Sequence, residues 1–97
     1  MPGPAPYDGR DVTVVIAAYN ASATLDEALG SVAAQSRRPR EVLVADDCST
    51  DGTPTVAESW RDRLPLRILR LDPNGGPAAA RHAAITAATS PLVALLD

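Results

Sequence analysis

Polar residues recur at the points where four short apolar runs end. They are residues 17–20 (AAYN), Asp46 with Asp47, residues 72–76 (DPNGG) and Asp97. Carboxylates of this kind accept hydrogen bonds from a ribose hydroxyl or a base N–H, and they are oxygen ligands for divalent cations. Because parallel strands end at one edge of a sheet, where α/β folds bind ligands, the spacing predicts one ligand site built from all four segments.

The elements that must position these residues alternate along the chain. Residues 12–18 (VTVVIAA) form a continuous, largely β-branched apolar run, which predicts a strand buried on both faces. Three similar runs at residues 40–46, 66–71 and 91–97 predict further strands. Helical patterns at residues 24–35, 53–63 and 76–88 lie between them. Thr24 and Glu27 form a capping-box pattern at the start of the first helix, which predicts that helix's first residue.

The β-α-β-α-β-α-β order predicts the fold class. Short connections between strands and helices imply a Rossmann-like parallel α/β sheet covered by helices. We expect the strand order 3-2-1-4 with right-handed crossovers. The third strand carries Arg67 and Arg70 on opposite faces, which favours an edge position. The fourth run, LVALL, would leave an apolar edge uncovered, and it therefore predicts self-association into a homo-oligomer.

Composition limits the classes of protein and of partner. Ninety-seven residues suit one small domain, which we place at residues 11–97 after a Pro- and Gly-rich flexible lead-in at residues 1–10. Net charge is −3 and no basic stripe is present, which argues against nucleic-acid binding. No apolar run reaches the length of a membrane span. The single Cys48 excludes an internal disulfide and favours a reducing, cytoplasmic location.

Three familiar ligand motifs do not fit. The turn after the first strand, AYNAS, lacks the glycines of a dinucleotide-binding loop, and a Walker A loop is also absent. Residues 47–58 match part of the spacing of a calcium loop. A strand precedes them where an EF-hand needs a helix, and Pro54 falls inside the supposed loop, so calcium binding is disfavoured.

Each candidate residue also has a structural interpretation. One of Asp46 and Asp47 is expected to cap the loop at residues 48–52, and the other to meet the ligand. Tyr19 could pack across the strand ends, and Arg81 could be a solvated residue of an Ala-rich helix. Cys48 is interpreted as a small loop residue, since no partner base lies near it in the sequence.

Four segments together resemble family 2 glycosyltransferases of the GT-A fold. They are VTVVIAAYNASATLDEALGSVAAQS, REVLVADDCSTDGT, NGGPAAARHAAI and LVALLD, in the family's order and spacing. The resemblance covers residues 11–97 and corresponds to the family's N-terminal, nucleotide-binding part. Ala17 stands where the family usually has proline, a change that removes no functional atom.

The resemblance implies roles for the candidate residues. It places Asp47 against the nucleotide base and Arg81 along the diphosphate. Around the base it groups four further nucleotide-binding residues: Ala17, Tyr19, Asn20 and Asp46. Asp97 matches the first aspartate of the D-x-D motif, which implies a divalent cation, Mg²⁺ or Mn²⁺, in the complete enzyme. The catalytic base of the family lies beyond residue 97, so the catalytic residue is unknown here.

The implied activity is transfer of a sugar from a nucleotide-diphosphate donor, first of all a UDP-sugar, to an acceptor hydroxyl. The resemblance implies that this chain is a truncated domain that carries the nucleotide-binding half and is inactive alone. An alternative is a non-catalytic nucleotide-binding or self-assembly module built on the same half-fold. A small doubly wound signalling domain is disfavoured, because no suitable phosphoacceptor aspartate follows the third strand.

Overall fold

The computed structural model describes residues 11–35, 38–71 and 75–96. Within these ranges strands and helices alternate, in the order β1 (Val12–Ala18), α1 (Ser22–Ala33), β2 (Glu41–Asp46), α2 (Thr53–Ser59), β3 (Leu66–Arg70), α3 (Pro77–Ala87) and β4 (Leu92–Leu96). The predicted lead-in at residues 1–10 and the predicted metal ligand Asp97 lie outside the described residues. The α/β alternation expected from the apolar runs is confirmed.

The four strands form one parallel sheet in the order β3-β2-β1-β4. This confirms the predicted 3-2-1-4 order. β1 and β2 run in register from Thr13 opposite Glu41 to Ala18 opposite Asp46. One further backbone bond, from Asp47 N to Ala18 O at 2.9 Å, extends the pairing past the end of β2. The carboxyl ends of the two central strands therefore stop side by side.

Both faces of the sheet carry apolar cores. On one face the β1 and β2 side chains pack with α1 and α2 around a core that includes Val14, Ile16, Leu25, Leu29, Val42, Val44 and Trp60. On the other face α3 packs through Ala80 and Ala84 against Val15, Leu43 and Ala45. Alternate residues of a strand point to opposite faces, so one short strand serves both cores. Burying a side chain such as Leu29 contributes about 1.5–3 kcal/mol.

The start of α1 differs from the prediction. The helix begins at Ser22, with Ala21 as its N-cap and no side-chain capping bond, so the capping box at Thr24 was wrong. The reason is tertiary: Ala21 N donates to Thr53 Oγ1 at 3.0 Å, while Ala21 O already accepts from Leu25 N at 2.8 Å. A hydrogen bond to a residue distant in the sequence therefore determines where α1 begins. Rules based on the local sequence cannot predict such a contact.

β4 lies at one edge of the described sheet, and β3 lies at the other. Leu92, Val93 and Leu95 of β4 are exposed, Leu95 to 54%. In the described ranges, no helix combines the length and the apolar character needed to cross a membrane.

Candidate functional site

A cavity of about 190 Å³ opens where β1 and β2 end. Small apolar residues, one tyrosine and one carboxylate line it: Ala17, Ala18, Tyr19, Asp47, Gly76, Pro77 and Ala80. Tyr19 is 52% exposed at its mouth. Binding cavities for whole drug-sized ligands usually measure about 300–1,000 Å³. This cavity therefore suits one ring system of a larger ligand.

Three elements converge to build the cavity. The in-register ends of β1 and β2 bring Ala17, Tyr19 and Asp47 together at one edge, as the sequence predicted. α3 completes the wall, because Ala80 is small enough to let the helix lie close to the sheet. The cavity thus has flat apolar sides with a carboxylate among them, an arrangement that suits a planar heterocycle with an N–H donor.

Asp47 is only 3% exposed, and its carboxylate accepts hydrogen bonds from two backbone N–H groups. Its Oδ1 accepts from Gly75 N and its Oδ2 accepts from Gly76 N, both at 2.8 Å. These amides precede the first turn of α3, where the helix dipole also favours negative charge. A carboxylate oxygen can accept more than one hydrogen bond, so this side chain places a hydrogen-bond acceptor at the cavity wall.

Two glycines make this arrangement possible. Gly76 has φ 90°, a left-handed conformation that side-chain-bearing residues rarely adopt. At Gly75 a Cβ atom would lie 3.0 Å from the Cβ of Ala79, which is closer than normal packing allows. Sequence reasoning assigned residues 72–76 to the site but missed that the glycine amides would bind Asp47. The two consecutive glycines, Gly75 and Gly76, were the sequence feature that could have indicated this contact.

Asp46 is the aspartate that caps the loop. Its Oδ1 accepts from Ser49 N at 3.1 Å, and its Oδ2 pairs with Arg70 Nη1 at 3.0 Å. The Asp46 side chain is buried, whereas that of Arg70 is half exposed. Asp46 thus lies next to the cavity without lining it, and Asp47 is the member of the pair that faces the cavity.

Asn20 joins the loops that follow β1 and β2. It adopts a left-handed backbone with φ 46°. Its N donates to Ser49 Oγ at 2.9 Å, and its Oδ1 accepts from Thr50 N at 2.8 Å and Asp51 N at 3.3 Å. The sequence placed Asn20 at the site without indicating these loop contacts.

Asp51 is a second local anchor of the same loop. Its Oδ1 accepts from Thr53 N at 2.9 Å and also from the Thr53 hydroxyl. The hydrogen bonds from the Thr53 hydroxyl and backbone lower the pKa of the Asp51 carboxyl below its ordinary value. These hydrogen bonds hold Asp51 to the first residue of α2.

The two remaining candidates lie apart from the cavity lining. Arg81 is half-buried on α3, directly after the lining residue Ala80. Asp97 is outside the described residues. Across residues 11–35, 38–71 and 75–96, no group of three or more His, Cys, Asp or Glu side chains could hold a metal ion.

Comparison with known proteins identifies the family. The Glycosyl transferase family 2 sequence pattern matches residues 13–97. The succinoglycan biosynthesis protein ExoO of Rhizobium meliloti is 45% identical over 87 residues, which cover 90% of this chain and 25% of that protein. This chain thus spans about a quarter of the length of the curated relatives it matches.

Solved structures agree with the sequence match. Staphylococcus aureus TarS in complex with UDP superimposes with a TM-score of 0.83 at 36% identity, over 90% of this chain and 27% of that chain. The mannosyltransferase PcManGT from Pyrobaculum calidifontis, in complex with GDP-Man and Mn²⁺, superimposes with a TM-score of 0.75 at 34% identity, over 87% and 26%. The chain therefore belongs to glycosyl transferase family 2, and its sheet is the Rossmann-like part of that family's GT-A fold.

Proposed function

We propose that this chain carries the nucleotide-binding half of an enzyme that transfers a sugar from a nucleotide-diphosphate donor to an acceptor hydroxyl. The observation that carries the proposal is the buried Asp47 carboxylate in an apolar cavity at the carboxyl ends of β1 and β2. Ligands of open α/β sheets bind at this edge. Solved relatives contain UDP, UDP-GlcNAc or GDP-Man.

Each nucleotide-site residue has a proposed part. Asp47, which lines the cavity, accepts a hydrogen bond from a base N–H or a ribose hydroxyl. Ala17 and Tyr19 form the walls beside the ring. Arg81, one residue beyond the cavity on α3, faces the negative diphosphate. Asn20 and Asp46 complete the group at the adjoining loops.

Uridine diphosphate is the proposed nucleotide. The proposal is supported by the UDP-bound TarS structure, which is similar over 90% of the chain. The divalent cation of the complete enzyme, Mg²⁺ or Mn²⁺, is proposed from the Mn²⁺ of PcManGT and from Asp97.

Titration of the chain with UDP, followed by amide NMR, tests the proposal. We expect residues 17–20 and 46–49 to shift together, because both segments border the cavity. Asp47→Asn keeps the shape of the side chain but replaces an acceptor oxygen by an NH₂ group, so we expect at least tenfold weaker binding. Shifts confined to Arg38 and Arg40, which line a separate open groove, would indicate nonspecific phosphate attraction and contradict the proposal.

Two finer statements belong to the same proposal. The apolar β4 edge, with Leu95 54% exposed, supports self-association through that strand. A cytoplasmic location is supported by the single Cys48. The alternative of a non-catalytic nucleotide-binding or self-assembly module shares the same site. A turnover assay with UDP-sugars checks the predicted inactivity of the chain alone.

A further inference from the structure

A continuous set of hydrogen bonds runs across three strand ends, behind the cavity. It starts at Arg70, at the end of β3, whose Nη1 pairs with Asp46 Oδ2 at 3.0 Å. Asp46 Oδ1 accepts from Ser49 N at 3.1 Å, and Ser49 Oγ accepts from Asn20 N at 2.9 Å. Asn20 directly follows Tyr19, so the set ends beside the cavity wall.

The side chain of Asn20 is engaged with the neighbouring loop. Its Oδ1 accepts from Thr50 N at 2.8 Å and from Asp51 N at 3.3 Å. An amide oxygen has two lone pairs, so these two N–H groups satisfy it. The oxygen of Asn20 is thus committed to the loop, and only its NH₂ group retains capacity for a ligand.

The backbone of Asn20 also depends on this engagement. Its φ of 46° is left-handed, a region that asparagine and aspartate tolerate better than most residues. This turn directs the chain from the end of β1 toward α1. The hydrogen bond from Asn20 N to Ser49 Oγ holds the peptide group that joins Tyr19 to Asn20. The loop contacts of Asn20 therefore control the position of a residue that lines the cavity.

We propose that Asn20 is a positioning residue for nucleotide binding, holding Tyr19 over the cavity through its bonds to Ser49, Thr50 and Asp51. This inference rests on the proposed function. It assigns Asn20 an action through Tyr19, where the family resemblance alone suggested that Asn20 touches the nucleotide. Asp46 and Arg70 support the same loop from the β2 and β3 sides.

Two substitutions at one position separate positioning from direct contact. Asn20→Asp keeps an acceptor oxygen and tolerates the left-handed turn, but it has no NH₂ group to offer a ligand. Asn20→Gly keeps the left-handed turn and removes the acceptor. Asp26→Ala is the matched control, because it removes the 2.9 Å partner of Trp60 Nε1 between α1 and α2, away from both loops.

UDP affinity of the 97-residue chain, measured by amide NMR, gives the main result. We expect Asn20→Gly to weaken binding about tenfold or more, since two backbone N–H groups lose their acceptor. Asn20→Asp and Asp26→Ala should stay within about threefold of the wild type. In the UDP-free chain, Asn20→Gly should shift the Tyr19 amide and accelerate hydrogen exchange at Thr50 and Asp51, whereas Asn20→Asp should do neither.

The outcomes are distinguishable. Binding by Asn20→Gly within threefold of the wild type would overturn the inference while leaving the proposed function intact. Equal weakening by Asn20→Asp and Asn20→Gly would overturn it in favour of direct contact through the NH₂ group. If the wild type fails to bind UDP, the proposed function fails and the inference fails with it. Should Asn20→Gly not fold, Ser49→Ala removes the acceptor of Asn20 N and should weaken binding by a smaller factor.

Discussion

Asp46 and Asp47 are neighbours in the sequence, yet the structure uses them differently. Asp46 points to the loop and to Arg70, and Asp47 points to the cavity and to the start of α3. Alternation of side chains at the end of β2 explains the division. The sequence predicted that one aspartate would cap and the other would face the ligand. Only the partners at Ser49 and Gly75 could decide which, and Gly75 lies 28 residues away from Asp47.

Gly76→Ala should destabilise the chain by about 1–2 kcal/mol, because its φ of 90° is unfavourable for alanine. Asp47 should also lose an amide partner if the turn shifts, so UDP binding should weaken. Gly52→Ala is the control, since Gly52 has φ −78° and no atom lies within 4 Å of the added Cβ. Thermal unfolding of the two variants checks this. Equal melting temperatures would contradict the prediction.

The strands could be predicted from the sequence, but the hydrogen bonds around Glu41 that connect them could not. Apolar runs in β1 and β2 determine buried central strands, and Arg67 with Arg70 marks β3 as an edge. Glu41 lies at the start of β2, and its burial could not be expected from its type. Thr13, Arg67 and Thr89 surround it, and Thr89 is 48 residues away. Such a set exists only once the sheet and α3 have assembled.

The ionised Glu41 carboxylate stabilises the fold, and this stabilisation is lost as the pH falls. Burial raises the pKa of this carboxyl, but hydrogen bonds from Thr89, Thr13 and Arg67 outweigh burial and lower the pKa below its ordinary value of 4.5. A lowered folded-state pKa means that the stabilisation is complete well above pH 4.5. It is lost as the pH falls below 4.5 through the folded-state pKa.

Glu41→Gln should therefore reduce the free energy of unfolding at pH 7 by about 1–3 kcal/mol. It should also flatten the loss of stability below pH 4.5. Glu58→Gln is the control: Glu58 is exposed and pairs with Arg61 on the helix surface, so the change should be small. Urea unfolding between pH 3 and 7 measures both. If Glu41→Gln lost stability below pH 4.5 as steeply as the wild type, Glu41 would not be the source of this pH dependence.

At the scale of the whole sheet, β4 forms an apolar edge of the part that the structure describes. β4 pairs with β1 on one side, and its side chains Leu92, Val93 and Leu95 are exposed. Unpaired strand edges recruit other strands, most simply through two-fold pairing of identical edges. The sequence predicted this edge from the run LVALL, and the structure confirms its position in the sheet.

Leu95→Lys should reduce self-association of the chain, because a charge on this edge opposes strand pairing. Light scattering at several concentrations should give a larger mass for the wild type and a monomer mass for the variant. Ile85→Lys is the control, since Ile85 is an exposed apolar residue of α3 and not of β4. A wild-type chain that stays monomeric at all concentrations would contradict the prediction.

The double use of Asp47 constrains how this site can evolve or be redesigned. The carboxylate that would recognise a base also fastens the first turn of α3, through Gly75 and Gly76. A change at position 47 intended to alter donor preference would release that turn and lose affinity for every donor. New preferences are therefore more accessible through Tyr19, which lines the cavity and is 52% exposed. In the proposed site, the Asp47 carboxylate is therefore constrained by its structural role, whereas an exposed residue of the cavity lining can change more freely.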